Sequence, residues 1–534
     1  MTSVLLLEQA GRWRAVATTI LLLLIALPIL PLGSAAFGAS AQDAGEVFWQ
    51  SLATSVKIAI CGGVIGFVVG LPLGVGTALA AFPGRHALLA AIGLPLVVPS
   101  FLWAIGWSIL ATRQPLLRAL TGGVSGCILT AATMTTALVV FASYAATLEL
   151  SRSQVEAVLL AAGESALLRR ASRNALVPAI FGAALGAVLA LSDPGPGQIL
   201  GTHTAAVEIL TTFAARYDLA LATKQCFILS LVVAGLALPL ACIAGPRLAE
   251  PALPRQLTPP ARRGKSALSV AVALAASAFL LFALGPPVGA LLLPLVRGEP
   301  ETLLSAPGLA DAWSSKHLEL ALLTAFTTSA RTALNTVLYA GGAGVLAVLI
   351  GTAIALSAGR SPRLRTVAVS ICIVLFSWPS VASALGVVHL ATTAPSVLDV
   401  LLRSRFTVCV VLASHLAPIA TALALRATGA LAPAWTQAAA IHGVAIHRYL
   451  FRVLWPALRP SATLSCVLVA LLASADAGSV LLLHPPGEAS LPLAIFTVMA
   501  NAPEASVAAL CLVYLLGTIT VLIVALKIGQ WELR

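Results

Sequence analysis

The sequence predicts an all-α, polytopic membrane protein of about 12 transmembrane helices in two tandem sets of six. Three observations carry this reading. Only 9% of the 534 residues are charged, 59% are hydrophobic, and the mean hydropathy is +1.01. Apolar runs long enough to cross a bilayer recur along the whole chain. Short patterns of the first half return in the second at a nearly constant offset. A soluble globular protein carries about 25% charged residues, so a chain this long has too few polar groups to cover a water-facing surface. That excludes a soluble enzyme, a disordered regulator and a nucleic-acid-binding domain, and no nucleic-acid partner is expected.

A hydrocarbon core about 30 Å thick takes about 20 apolar residues per helix. Segments of that kind lie at 15–35, 57–82, 87–111, 123–147, 176–193 and 225–246. A second series lies at 267–296, 332–358, 366–392, 406–428, 461–483 and 506–527. Arg12 and Arg14 precede the first segment, and "GASAQ" at 38–42 resembles a signal-peptidase site. A cleaved apolar region is usually about 7–15 residues. The run here is longer, so an uncleaved first span is expected.

The connecting stretches alternate in charge. Twenty-one of the 31 Lys and Arg, but only six of the 19 Asp and Glu, fall in 1–14, 83–86, 148–175, 247–266, 359–365, 426–460 and 527–534. Cytoplasmic loops concentrate Lys and Arg, so these stretches and both termini are expected in the cytoplasm. The net charge of +12 then reports topology. The Pro-rich, basic stretch 247–266 falls near the midpoint. It gives a first module at 1–250, a linker at 251–266 and a second module at 267–534. The stretch 297–331, with "RGEPE" and "DAWSSK", is expected outside, with room for a short surface helix.

The repeat appears in the residues least easily matched by chance. "PSFLWAIGWSIL" at 99–110 matches "PSVASALGVVHL" at 379–390, pairing Pro99 with Pro379 and Ser100 with Ser380 at an offset of 280. Gly84 and Arg85 match Gly359 and Arg360 at 275, and "SDPG" at 192–195 matches "ADAG" at 475–478 at 283. An even number of spans separates the copies, so they share one orientation. Two similar helical bundles about a pseudo-twofold axis along the membrane normal are expected.

The last large cytoplasmic loop reads "WTQAAAIHGVAIHRYLFRVLWPALRPSA" from 435 to 462. "QAAAIH" makes a short helix, Gly443 interrupts it, helical periodicity resumes, and Pro456 and Pro460 stand at the mouth of the next span. The result is a compact elbow whose small residues let another surface approach. This loop resembles that of the permease subunits of type I ATP-binding-cassette (ABC) importers. The family pattern is EAA, three residues, Gly, then about a dozen residues and Pro. Gln437, Ala438, Ala439, Gly443 and Pro456 fit it, with Gln in place of Glu. The first-half loop, "VEAVLLAAGESALLRRASRNALVPAI" at 155–180, departs further. Glu156 and Ala157 match, Val158 replaces the second Ala, and the family's glycine position falls on Ala162, with Gly163 one residue late. The resemblance covers both halves and is closest to the fused ferric-iron and thiamine permeases.

That resemblance implies a bacterial inner-membrane permease whose two loops dock on two copies of an ABC ATPase subunit. It also implies an external substrate-binding protein as a partner. No GxxxxGK[ST] phosphate loop is present, so the ATPase is expected on a separate subunit. No HExxH or Ser/His/Asp arrangement appears. The chain is therefore expected to be a transporter subunit with no catalytic residues, no cofactor and no resident metal. An ion-gradient-driven 6+6 secondary transporter is the alternative, since it would share the spans, the repeat and the basic loops. The solute is left open among ferric iron, thiamine, phosphonates, polyamines and others.

Within the spans, Asp193 and Asp476 stand roughly 22–24 Å along their helices from the cytoplasmic end. An ionised Asp at that depth costs at least about 2.5 kcal/mol unless it meets water or a partner. Two roles are open for them, helix capping beside Pro-Gly or Ala-Gly and lining of a translocation path, and the two are compatible. Ser100 and Ser380, each after a proline, are further path candidates. His389 and His415 read as hydrogen-bonded core residues ahead of proton or metal sites. Glu208, in "AAVEILTTFAARYD", belongs to an external or re-entrant amphipathic piece, as a docking surface or a plain solvated face. The eight cysteines lie in apolar runs without a CxxC pair and read as small apolar fillers.

Overall fold

The computed structural model describes residues 11–26, 29–33, 44–249, 267–297, 315–393, 395, 400–499 and 501–532. Among them the regular structure is helical and no strand forms. Eight helices are long and apolar enough to cross a membrane, or up to 11 segments if each of three bent pairs is one span. The protein is an all-α, multi-pass membrane protein. The expected first span is helical over Gly11–Ala26, with part of 15–35 outside the described residues. The linker 251–266 and the stretch 298–314 also lie outside them.

The first half runs α1 (Gly11–Ala26), α2 (Glu46–Leu79), α3 (Arg85–Ile92), α4 (Leu94–Val97), α5 (Ser100–Arg113), α6 (Pro115–Thr121), α7 (Gly123–Leu148), α8 (Arg152–Ser192), α9 (Gly195–Ile199), α10 (Ala205–Ala214) and α11 (Leu219–Ala249). The second runs α12 (Ala267–Ala283), α13 (Gly285–Arg297), α14 (Ser315–Ala358), α15 (Pro362–Ser377), α16 (Ser380–Thr393), α17 (Arg405–Ala430), α18 (Pro433–Ile441) and α19 (Ile446–Tyr449). A π-helical turn at Leu450–Leu454 leads into α20 (Trp455–Ala475), followed by α21 (Ala477–Leu483), α22 (Leu491–Val498) and α23 (Glu504–Glu532). From α2 and from α14 the order is the same: a long helix, a bent pair, a long helix, a broken helix, a short pair and a closing helix.

Two of the expected spans are sharply bent, each at its Pro-Ser step. Segment 87–111 turns by 92° and segment 366–392 by 82°. Both breaks sit before a proline, whose ring disfavours the α conformation of the preceding residue. Val98 and Trp378 are accordingly extended, at ψ 137° and 140°. Segment 267–296 bends by 43° at the Gly285 break. The stretch expected as an external loop before 332 is helical from Ser315 onward.

Close helix contact rests on small residues, since lipid supplies no hydrophobic drive between helices. Gly62, Gly66, Gly70 and Gly74 recur every fourth residue of α2 and face Ala131, Thr135, Val139 and Val140 of α7. A Cβ on Gly66 would lie 2.6 Å from Thr135. The second half repeats the device, with Gly351 of α14 against Thr421 of α17 at 2.6 Å by the same measure. Outward positions such as Leu281, Val68, Phe326 and Val337 stay exposed and apolar, the surface that a multi-pass protein presents to lipid.

The halves interlock. α1 packs on α14 of the other half, with the Thr18 and Ser357 hydroxyls 3.0 Å apart. Reciprocally, α12 packs on α2 and α3. α11 lies along α15, where Ser370 donates to the Ala241 carbonyl at 3.0 Å, and α13 lies along α5. One arginine ties three helices together. Arg365, 2% exposed, donates to the carbonyls of Ala249, Gly359 and Leu425 at 3.0, 3.2 and 2.6 Å.

Candidate functional site

The two proline bends and the two aspartates converge on one cavity. α8 ends at Ser192 because Pro194 follows Asp193 and prevents continuation. Asp193 Oδ1 then accepts the Gly195 N–H at 2.9 Å. In the second half Asp476 caps α21, accepting from Ser479 N at 3.0 Å and from Ser479 Oγ at 2.8 Å. The first residue after each bend completes the arrangement. Ser100 Oγ donates to Asp193, and Ser380 Oγ donates to Asp476 at 3.4 Å. Each carboxylate is therefore held by a serine from the bend and by the chain just after it. Asp476 thus caps a helix, whereas Asp193 holds a turn with the residue two positions on.

The cavity between the halves has a volume of about 1270 Å³ and is lined by Ser100 and Asp193 from one half and Ser380 and Asp476 from the other. Much of its wall is aliphatic or aromatic, including Phe101, Phe376 and Trp378. His415, expected as a plain core residue, also faces it. Its ring stacks on Phe376 at 6.0 Å between centroids and lies within electrostatic reach of Asp476. Behind Asp193 is a separate space of about 20 Å³ bounded by Ser55, Thr130 and Thr204, room for about one water molecule.

The two loops singled out by sequence each break at a glycine with positive φ. α18 closes in a Schellman motif, with Val444 N–H donating to Ala439 O at 2.9 Å and Gly443 N–H to Ala440 O at 3.1 Å. Gly443 has φ 60°. Gln437 and Ala438 are exposed, whereas Ala439 and Ala440 pack against Tyr449, Leu454 and Leu458. Pro456 stands at the junction where the π-helical turn Leu450–Leu454 passes into α20. In the first half the break falls at Gly163, with φ 77° and ψ −172°, inside α8. That backbone region is essentially restricted to glycine. The break is thus at Gly163, while Ala162, at the family's glycine position, stays in the helix. Gly163 and Gly443 share the 280-residue offset of the bend prolines. Glu156 and Ala157 lie one to two turns earlier on an exposed surface, with Glu156 accepting from Arg152 Nε at 2.8 Å.

Glu208 does not lie on a solvated or docking face. It is 2% exposed, and its Oε1 lies 2.9 Å from Arg216 Nη1. Arg216 stands just past the end of α10, its N–H donating to the Thr211 carbonyl at 3.2 Å, and Tyr217 after it lies in the left-handed region, φ 56°. His389 does not line the cavity and has interactions of its own. All eight cysteines are free, and no group of three or more His, Cys, Asp or Glu suited to a metal occurs among the described residues. Arg365 and the aromatic wall residues were not singled out by the sequence. No protein-family model, curated protein or solved structure matches the chain.

Proposed function

We propose that this chain is the membrane-spanning permease of an ABC importer, in a bacterial inner membrane with both termini in the cytoplasm. Residues 1–250 and 267–534 form two six-span modules joined by 251–266. The carrying observation is the pair of glycine breaks, Gly163 and Gly443, each opening the helix that ends at a cavity aspartate. From Gly163 to Asp193 is about 45 Å of helix, a rigid strut long enough to relate one membrane face to the far side of the cavity. Two ATPase subunits would seat on the exposed surfaces around Glu156 and Gln437. Their closure on ATP would draw the elbows together and rock the halves. A solute released by an external binding protein would pass through the cavity. The ion-gradient alternative has one observation in its favour, the exposure of Asp193, Asp476 and His415 to that cavity.

The test is co-expression with an ABC ATPase subunit. Ala439→Trp and Gly443→Trp should each abolish co-purification and nucleotide-dependent uptake into vesicles. Uptake that persists without any ATPase, driven by a proton or sodium gradient, would replace this function with the alternative.

A further inference from the structure

We infer that the cavity between the halves selects an organic cation with an apolar body. The inference deepens the permease proposal by naming its substrate class, but the binding it describes belongs to the cavity alone. The protein carries 31 Lys and Arg against 19 Asp and Glu, yet among the described residues no Lys or Arg lines the cavity. Its ionisable lining is Asp193, Asp476, His86, His415 and Tyr144. The guanidinium carbon of Arg85 lies 5.9 Å from the Tyr144 ring centroid.

The polar groups of the wall are already committed in a way that favours positive charge. The Ser100 and Ser380 hydroxyls spend their protons on the two carboxylates, so they offer a ligand acceptors and no donors. Each ionised carboxylate has about four acceptor sites. The bonds to Gly195, Ser479 and the serines leave some of these open on both. An anion would meet two carboxyl groups and, among the described lining, no Lys or Arg. A neutral solute would leave both carboxylates uncompensated in a low-dielectric wall, where an unpaired charge is costly.

The rest of the lining decides between kinds of cation. A small hydrated metal ion needs several oxygen ligands to replace its water, and two carboxylates set in Phe, Trp and Leu do not provide them. Aromatic faces such as Phe101, Phe376 and Trp378 suit a soft, weakly hydrated cation. The volume, about 1270 Å³, accommodates a molecule of drug-like size.

The experiment is calorimetric titration of the full chain in lipid nanodiscs, with empty nanodiscs subtracted. The probes are phenyltrimethylammonium, its neutral isostere tert-butylbenzene, and benzenesulfonate. The cation should bind saturably and at least about tenfold more tightly than either analogue. Asp193→Asn and Asp476→Asn should each weaken it by about three- to tenfold, and the double variant should abolish the preference for charge. Asn is as good a helix cap as Asp, so both variants retain the turns. The comparison of probes on the unaltered chain stands even if a variant misfolds. Equal affinity for cation and neutral isostere, no saturable binding, or undiminished preference in the double variant would each overturn the inference. No ATPase enters this assay. Loss of ATPase coupling would therefore defeat the permease proposal alone, and absence of charge preference would defeat this one alone.

Discussion

Replacing Arg365 with methionine removes the guanidinium that joins three helices while nearly conserving volume. The side chain is 2% exposed and makes three hydrogen bonds to carbonyls and no ion pair among the contacts seen. Hydrogen bonds to a charged group contribute about 1.5–3 kcal/mol each, a gross loss of roughly 5–9 kcal/mol. Against this, the variant no longer buries a cation, a relief of several kcal/mol. The expected net loss is about 2–4 kcal/mol. Arg365→Lys should not rescue it, because one ammonium on a flexible stem cannot reach three carbonyls that a planar fork spans. The assay is thermal unfolding in matched detergent, together with hydrogen exchange of the last turn of α11, which ends at Ala249. Both variants should lower the midpoint, and exchange should rise at Ala249 and Leu425 ahead of distant sites. A methionine variant as stable as the native chain, with unchanged exchange at those positions, would show that the arginine holds nothing together.

Three further outcomes follow from the geometry. Gly163→Asn should destabilise by about 1–3 kcal/mol, whereas Gly443→Asn should be nearly neutral, because Asn enters the left-handed region but not the extended region at φ 77° and ψ −172°; paired melting curves with equal losses would contradict this. Gly66→Val should cost at least about 1–3 kcal/mol, since its Cβ alone would lie 2.6 Å from Thr135, and a variant that purifies with an unaltered midpoint would refute the close α2–α7 seam. Glu488 is hydrogen-bonded to Arg405, which holds its carboxyl below the usual carboxylate range. The pair therefore stabilises the fold above the ordinary carboxylate pKa, and that contribution is lost as pH falls through the depressed value. The difference in midpoint between native protein and Glu488→Gln should be present at neutral pH and vanish in strong acid; a difference that grows on acidification would reverse the assignment.

Much of this molecule is written locally. Lipid demands long apolar runs, so the spans stand out in the composition. The repeat then marks Ser100 with Ser380 and Asp193 with Asp476 before any geometry is seen. The bends were only half legible. Pro99 and Pro379 are plain in the sequence, but membrane helices tolerate proline, and turns of 92° and 82° depend on what fills the space beside them. Glu208 was misread because its partner lies eight residues on, just past the end of α10, where only a long arginine side chain reaches back to it. Arg365 looks like one more basic residue in a short connection, and nothing local reveals that Ala249, 116 residues earlier, ends beside it. Gly163 was one step out of the family's register. The constraint lies in the backbone angle that the turn requires, which residue counting does not measure.

The crossed seating of α1 on α14 and of α12 on α2 also bears on how the protein is made. As the ribosome releases the amino-terminal helix, the surface it will occupy does not yet exist, and it must wait in lipid until some 300 further residues have followed. During that interval its inward face is available to other membrane partners. Severed between the halves and produced as two polypeptides, the molecule should still assemble, since each fragment brings the helix that the other is missing.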